Sequence, residues 1–428
     1  MSKNVCMFVW NHFTNDARVL RECTALSEDG YHVDLICIAD PNNKELPNFE
    51  QVNSNFNVNR VRRYPTSLLI LQKLYKKILD NKFLLLISAI IWFLLLVMLP
   101  VVIITLTLLA AVLLKTKLKG FVIKGNIIIR MIAKAYRSKY DIYHANDLNT
   151  LPQAYIASKW RLSRKKLVYD SHEVQTSRTG YNPKTIKRVE SFFIKKIDTM
   201  IVENDTRAEF NEKLYGFYPN VLHNYPFINQ SSINEKIDLH SLLNLPKDEK
   251  ILLYQGGIQV GRGLDKIVQA VPMFNEGIVV FIGDGKIKPT LMKMVEDMNL
   301  EDKVKFIPKV PLADLPKYTK SAYIGFQVLN NICFNHYSAS SNKLFEYMMA
   351  GVPVVACDFP EIKRVVEGDK TGICIDSHNP EEIAKAVNQL LSDEKLRNQL
   401  SRNSIKASFK YNWENEKLRL YETYSSLC

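Results

Sequence analysis

The segment Ser341-Asn342-Lys343-Leu344-Phe345-Glu346-Tyr347-Met348-Met349-Ala350-Gly351-Val352-Pro353-Val354-Val355-Ala356-Cys357-Asp358 predicts a short helix, a Gly-Val-Pro break and a β-branched strand. Glu346 lies in the helix among Leu, Phe, Tyr, Met and Ala, where an unpaired charge is costly. A carboxylate in that position, near strand ends, can accept two hydrogen bonds from a ribose diol. On residue type alone, a solvated Glu on a helix surface is the plainer reading.

The same alternation extends outward. Val5–Trp10 and His32–Ile38 are apolar runs of strand length, separated by an amphipathic helix from Asp16 to Asp29 that Gly30 ends. Ile142–His144, Leu167–Asp170 and Thr199–Val202 follow. Asn224 to Ser232 is polar, contains a proline and reads as a linker. A second set comprises Ile251–Tyr254, Gly277–Ile282, Val304–Phe306, Tyr323–Val328 and Val352–Ala356. This pattern predicts an α/β chain of two Rossmann-like domains with parallel, doubly wound sheets. The expected domains are 1–225 and 226–409, with a C-terminal helix over 410–428 packing back on the first.

Length and composition agree. At 428 residues, 47% hydrophobic and 24% charged, the chain can bury two cores. Its seven cysteines form no C-x-x-C pair, which argues against a disulfide framework or zinc site and suits a reducing cytoplasm. The apolar run at the start is too short for a signal peptide and reads as a first buried strand.

The net charge of +13 is concentrated. From Lys115 to Tyr140 there are eight Lys or Arg and no acid, and Lys73, Lys76, Lys77 and Lys82 lie upstream. Between these clusters runs Phe83–Leu114, 32 residues without a charge. Basic flanks around an apolar run point to an anionic membrane surface, and no nucleic-acid motif appears. One span would put the two halves of one domain on opposite sides of a membrane. Two spans would have about 16 residues each, roughly 24 Å of helix against a core of about 30 Å. Pro100 falls near the middle, where a hairpin would bend. The expectation is a shallow re-entrant hairpin with both ends on the cytoplasmic side; a buried core hairpin and two thin or tilted spans are the alternatives.

Three groups of residues carry chemistry at strand ends. Tyr254-Gln255-Gly256-Gly257-Ile258-Gln259-Val260-Gly261-Arg262-Gly263-Leu264 joins a strand to a helix. Its glycines let backbone approach closely, and Arg262 can grip a phosphate bidentately. It could also be only a tight corner. Phe281-Ile282-Gly283-Asp284-Gly285-Lys286 places an Asp-Gly turn after another strand. In the N-terminal half, Asn11 to Asp16, His144 to Asp147 and Asp170-Ser171-His172-Glu173 end strands in polar residues.

With these motifs, nearly the whole chain outside the insertion resembles the retaining family-4 (group 1) glycosyltransferases of the GT-B fold, which often read KLFEYMAAGVPVVA at Lys343–Ala356. The resemblance implies two Rossmann-like domains facing across a cleft and a nucleotide-diphosphate sugar, UDP- or GDP-linked, as co-substrate. It implies donor binding by Gly256, Gly257, Arg262, Gly283, Asp284, Gly285, Ser338, Asn342, Lys343 and Glu346. Arg262 would also stabilise the leaving diphosphate, and His172 would lie beside the reacting sugar. Asn11, Asp16, His144, Asp147 and Glu173 would fall on the acceptor side. No cofactor and no metal are expected.

Two departures stand out. Gly257 occupies a position where the family commonly has a basic residue, which leaves Lys343 or Lys286 as candidates for the second cation. Ser338 stands eight residues before Glu346, where many members carry a Glu. The expected activity is sugar transfer to a lipid-linked glycan acceptor of bacterial surface polysaccharide (lipopolysaccharide or capsule) at the cytoplasmic face of the membrane. The alternatives are a GT-B nucleotide-sugar epimerase and a non-catalytic partner that binds a nucleotide sugar or lipid carrier.

Overall fold

The computed structural model describes residues 3–14, 16–43, 45–178, 180–228 and 236–427, and residues 229–232 of the linker expected at Asn224–Ser232 lie outside them. The first sheet contains β1 (Asn4–Phe8), β2 (His32–Ile38), β3 (Phe49–Asn53), β4 (Phe56–Val61), β5 (Ile142–Asn146), β6 (Lys166–Ser171), β7 (Thr199–Val202) and β8 (Asn220–Val221). Their order is β3-β4-β2-β1-β5-β6-β7-β8. β3 runs antiparallel to β4, whereas β1 runs parallel to β2 and β5, so Met7 sits level with Leu35 on one side and His144 on the other.

The second sheet contains β9 (Ile251–Gln255), β10 (Ile278–Ile282), β11 (Val304–Ile307), β12 (Ile324–Gln327), β13 (Val354–Cys357) and β14 (Gly372–Ile375). All its pairings are parallel, in the order β11-β10-β9-β12-β13-β14. Parallel strands are covered on both faces, which is why β9, β10 and β13 read as unbroken apolar runs. From β9 the chain winds first to β10 and β11, then returns to β12 on the other side of β9. Strand order therefore reverses at β9/β12, the position where open α/β sheets bind ligands beyond their carboxyl ends.

The chain clusters into two compact units, residues 1–170 with 195–199, and residues 171–194 with 200–428. The boundary expected at 225/226 falls inside the second. The helix Trp413–Ser425 packs on the segment around residues 223–226 of the same unit: Glu416 accepts from the His223 backbone N–H at 2.8 Å, and the Trp413 N–H donates to the Pro226 carbonyl at 2.9 Å.

In the first unit, helix α1 (Ala17–Glu28) begins where Asp16 accepts from the Val19 N–H at 3.2 Å, an N-cap that satisfies one orphan donor. Gly30 follows at φ +87°, a conformation glycine adopts without a Cβ penalty.

Between β4 and β5 the chain forms four successive helices: α2 (Thr66–Asp80), α3 (Lys82–Met98), α4 (Pro100–Lys115) and α5 (Leu118–Tyr136). The helical insertion is thus longer than the uncharged run. Pro100 takes the first helical position of α4, where its missing N–H costs nothing. The Trp92 indole N–H donates to the Thr107 hydroxyl at 2.9 Å, so residues similarly distant from the break meet and the chain doubles back there. No residue of α3 is buried, and Met98 and Val101 at the turn are each 76% exposed. This exposure rules out the buried core hairpin as an alternative. Among the described residues no single helix is long and apolar enough to cross a membrane; α2 and α3 reach that length and composition only as a pair bent by 113°. α5 returns to the core through Ile127, Met131 and Ala135.

Candidate functional site

At the switch point β9 ends in Gln255 and β10 ends before Gly283, and the two loops are stitched together. The Gly256 N–H donates to the Ile282 carbonyl at 2.9 Å, and the Ile258 N–H to the Asp284 carbonyl at 3.0 Å. A Cβ on Gly283 would lie 1.9 Å from the Gly256 oxygen, and one on Gly285 would lie 2.0 Å from the Ile258 oxygen. Close backbone approach is therefore what these two glycines provide. The Asp284 carboxylate is exposed and engaged within its own turn, accepting from Lys288 Nζ at 2.8 Å and the Lys309 N–H at 2.9 Å. The Lys288 hydrogen bond is the main cause of its lowered pKa. Asp284 is thus engaged by Lys288 and by the Lys309 backbone.

Glu346 is half-buried in the helix Asn342–Met349. One of its oxygens accepts from the Gln255 amide at 2.6 Å, and the Gln255 carbonyl accepts from the Thr319 hydroxyl at 2.7 Å. The relay Thr319–Gln255–Glu346, buried at Thr319 and Gln255, orients the carboxylate. Sequence reasoning passed over Gln255; its signal was a polar residue closing an apolar strand immediately before Gly256-Gly257.

Lys343 is only 7% exposed. Its Nζ is buried without a hydrogen-bond partner and lies 4.1 Å from the centroid of the Tyr254 ring. Burial, followed by the repulsion of Arg262, lowers its pKa to about 7. The neighbouring Asn342 Oδ1 is likewise buried and unpaired. Lys343 Cε lies 3.9 Å from where a Gly256 Cβ would stand, which places this cation at the Gly-Gly turn. Arg262 is half-buried and makes no ion pair among the described residues, and the helix it precedes, Leu264–Ala270, is short. Lys286 is exposed.

Ser338 is fully buried. Its hydroxyl donates to the Phe334 carbonyl at 2.8 Å and accepts from Arg207 Nε at 3.2 Å, and its carbonyl accepts from Asn204 Nδ2 at 2.7 Å. These commitments correct its expected role as a donor contact. Arg207 also donates to the His172 carbonyl at 2.5 Å and pairs with Glu203. Arg207, which sequence reasoning missed, thus links the His172 loop to the Ser338 segment. Asn335 adds a second link, accepting from the Val174 N–H at 2.8 Å. Glu173 pairs with Arg178 at 3.1 Å.

In the first unit, Asn11 donates to Asp16 at 2.7 Å, and Asp16 is occupied as the α1 cap. His144 is fully buried, 3.8 Å from Glu22 and 3.9 Å from Asp170, and Arg18 bridges both carboxylates at 2.9 Å. His144, expected on the acceptor side, is thus held inside a buried charge cluster; the i, i+4 pair Arg18/Glu22 was its sequence signal. Asp147 is half-buried at φ +64°, its carbonyl accepting from the Thr150 N–H at 3.1 Å.

The fold and these groups can be set beside known proteins. Residues 235–407 match the family of glycosyl transferases group 1. The D-inositol 3-phosphate glycosyltransferase of Xylanimonas cellulosilytica is 24% identical over 314 residues, covering 68% of this chain and 74% of that protein. Sucrose-phosphate synthase of Thermosynechococcus elongatus superposes with a TM-score of 0.73 at 17% identity, over 99% of each chain. Anabaena HepE, solved in complex with UDP-glucose, superposes with a TM-score of 0.68 at 16% identity, over 99% of this chain and 100% of its own. The fold is the two-domain, GT-B-like α/β fold with parallel sheets. The family match and the relatives named glycosyltransferases support transferase activity for this chain.

Proposed function

We propose that the chain is a retaining glycosyltransferase that moves a sugar from a nucleotide-diphosphate sugar to a lipid-linked glycan acceptor at the cytoplasmic face of a membrane. The observation that carries this reading is the buried Lys343 ammonium, without a hydrogen-bond acceptor, beside Gly256-Gly257 at the β9/β12 switch point. A buried ammonium that lies over the face of the Tyr254 ring is costly to keep charged, and an arriving anion would offset that cost. A diphosphate at the glycine turn would supply that anion, and Arg262 would add a forked donor. Glu346, oriented by Gln255, is suited to a ribose diol. Both cations would stabilise negative charge on the departing diphosphate as the sugar C1–O bond breaks, the acceptor hydroxyl oxygen bonds to C1 and its proton passes to the departing phosphate oxygen. His172 is assigned to the reacting sugar by resemblance to the family motif.

The membrane part of this reading rests on the exposed apolar hairpin and the basic residues of α2 and α5. A bacterial surface polysaccharide intermediate on a lipid diphosphate fits that position. The test is to incubate the protein with UDP- and GDP-sugars and a lipid-linked acceptor extract, then determine the anomeric configuration of the product. Transfer with retained configuration supports the reading. Inverted product, or interconversion of the nucleotide sugar without transfer, overturns it.

A further inference from the structure

A second basic site lies away from the sugar-nucleotide groups, at the root of the helical insertion. β4, the start of β3 and the C-terminal half of α5 line a pocket of about 340 Å³ that is open to solvent, at the small end of ligand-pocket sizes. Its walls include Arg60 and Arg62 from β4 and its end, and Arg130, Lys134 and Arg137 from α5 and its cap; no lining residue is acidic. Basic residues at a helix C-terminus complement the helix dipole, which accounts for Lys134 and Arg137 by themselves. It does not account for two arginines converging on them from another element.

Arg60 forms the inner wall of the pocket and is already engaged. It is 7% exposed, held by the Pro47 carbonyl at 3.0 Å and by Glu50 at 2.8 Å, and its Nε is buried with no hydrogen-bond partner. That Nε is sealed from solvent, so the groups open to an anion in the pocket are those of Arg62, Arg130, Lys134 and Arg137. Arg62, Arg130, Lys134 and Arg137 make no ion pair among the described residues. Asn126 accepts from Arg130 Nε at 3.0 Å and donates to the Arg62 and Arg63 carbonyls at 3.2 Å, which fixes the two walls together. Arginine clusters of this kind match the fork geometry of phosphate oxygens.

We propose that this cavity binds a phosphate group. The two walls are the entry to and the return from the exposed apolar arm, so a phospholipid head group is one source of that phosphate, and a soluble phosphate ester is the other. Only the lipid source rests on the membrane reading above.

The test uses the full chain and two variants, Arg130→Gln with Lys134→Gln, and Ala133→Glu, which puts an acid at the exposed rim of the cavity. Binding is measured to vesicles of phosphatidic acid in phosphatidylcholine, to vesicles of phosphatidylcholine alone, and, in detergent, to glycerol phosphate. The expected result is a loss of roughly tenfold or more in affinity for phosphatidic acid vesicles in both variants, the effect of losing a charged hydrogen bond. Binding to phosphatidylcholine alone, which reads the apolar arm, should stay unchanged. A loss confined to glycerol phosphate would keep the phosphate site and identify its ligand as soluble. Unchanged affinity for both phosphate probes, or an equal loss on phosphatidylcholine alone, would overturn the proposal. Failure of the wild type to bind any vesicle would refute the membrane reading and leave the glycerol phosphate measurement to decide the pocket.

Discussion

Gln255 donates its amide N–H to Glu346 at 2.6 Å and in turn accepts from Thr319, so a carboxylate on one helix is aligned by the last residue of β9. Glu346→Ala should weaken nucleotide-sugar binding by about 1.5–3 kcal/mol, the scale of a charged hydrogen bond. Gln255→Leu should lose a smaller part of this, because the carboxylate remains but is no longer held. Calorimetric titration of folded variants checks both; full donor affinity in Glu346→Ala would remove Glu346 from the site.

Lys343 gives the unliganded protein a pH dependence of definite sign. Its folded pKa is lowered to about 7 from an ordinary value of 10.5. Between these values the unfolded chain binds more protons, so this group makes stability rise with pH from about 7 toward 10.5, and its full cost is present below 7. Lys343→Met should stabilise the unliganded protein by about 1–3 kcal/mol at pH 6, with a gain that shrinks by pH 10. The same variant should lose donor affinity. Melting curves across pH, with and without nucleotide, give both readings; a variant equally stable relative to wild type at all pH values would contradict the assignment.

Gly283→Ala would place a methyl group 1.9 Å from the Gly256 carbonyl oxygen and should destabilise the second unit by about 2–4 kcal/mol while displacing the loop that follows β9. Gly368→Ala, at an exposed helix end with open space around it, should stay within about 0.5 kcal/mol of wild type. Similar melting temperatures for the two variants would mean that the loops do not meet as described.

Replacing residues 83–114 with a short polar linker should give a protein that no longer partitions into anionic vesicles but still binds nucleotide sugar. The cut must spare α5, because Ile127, Met131 and Ala135 belong to the core. In sealed vesicles, protease sites before Phe83 and after Leu114 should be cleaved from one face only. Cleavage from opposite faces would contradict the hairpin.

Much of the architecture was legible because buried parallel strands announce themselves as apolar runs and helices announce their ends. Asp16 capping α1, Gly30 after it and Pro100 opening α4 all sit where the sequence indicates. The β3–β4 hairpin was not legible: β3 is largely exposed and polar, so it lacks an apolar signature. α2 and α5 were read as basic flanks because charge masked their helical period. At the candidate site, glycine spacing located the two loops, but which polar groups are already engaged depends on tertiary contacts. Ser338 is taken up by Arg207 and Asn204, Asp284 by Lys288 and Lys309, and only the folded chain reveals these pairings.

The central claim is that Arg262 and Lys343 together receive the diphosphate of a nucleotide sugar at the β9/β12 switch point. The direct measurement is calorimetric titration of wild type, Arg262→Ala and Lys343→Met with UDP- and GDP-sugars at pH 7. The expected result is binding of at least one donor by wild type and a loss of roughly tenfold or more in each variant, with Arg262→Lys recovering only part of the loss because the fork geometry is absent. Donor binding at wild-type affinity by both Arg262→Ala and Lys343→Met would contradict it.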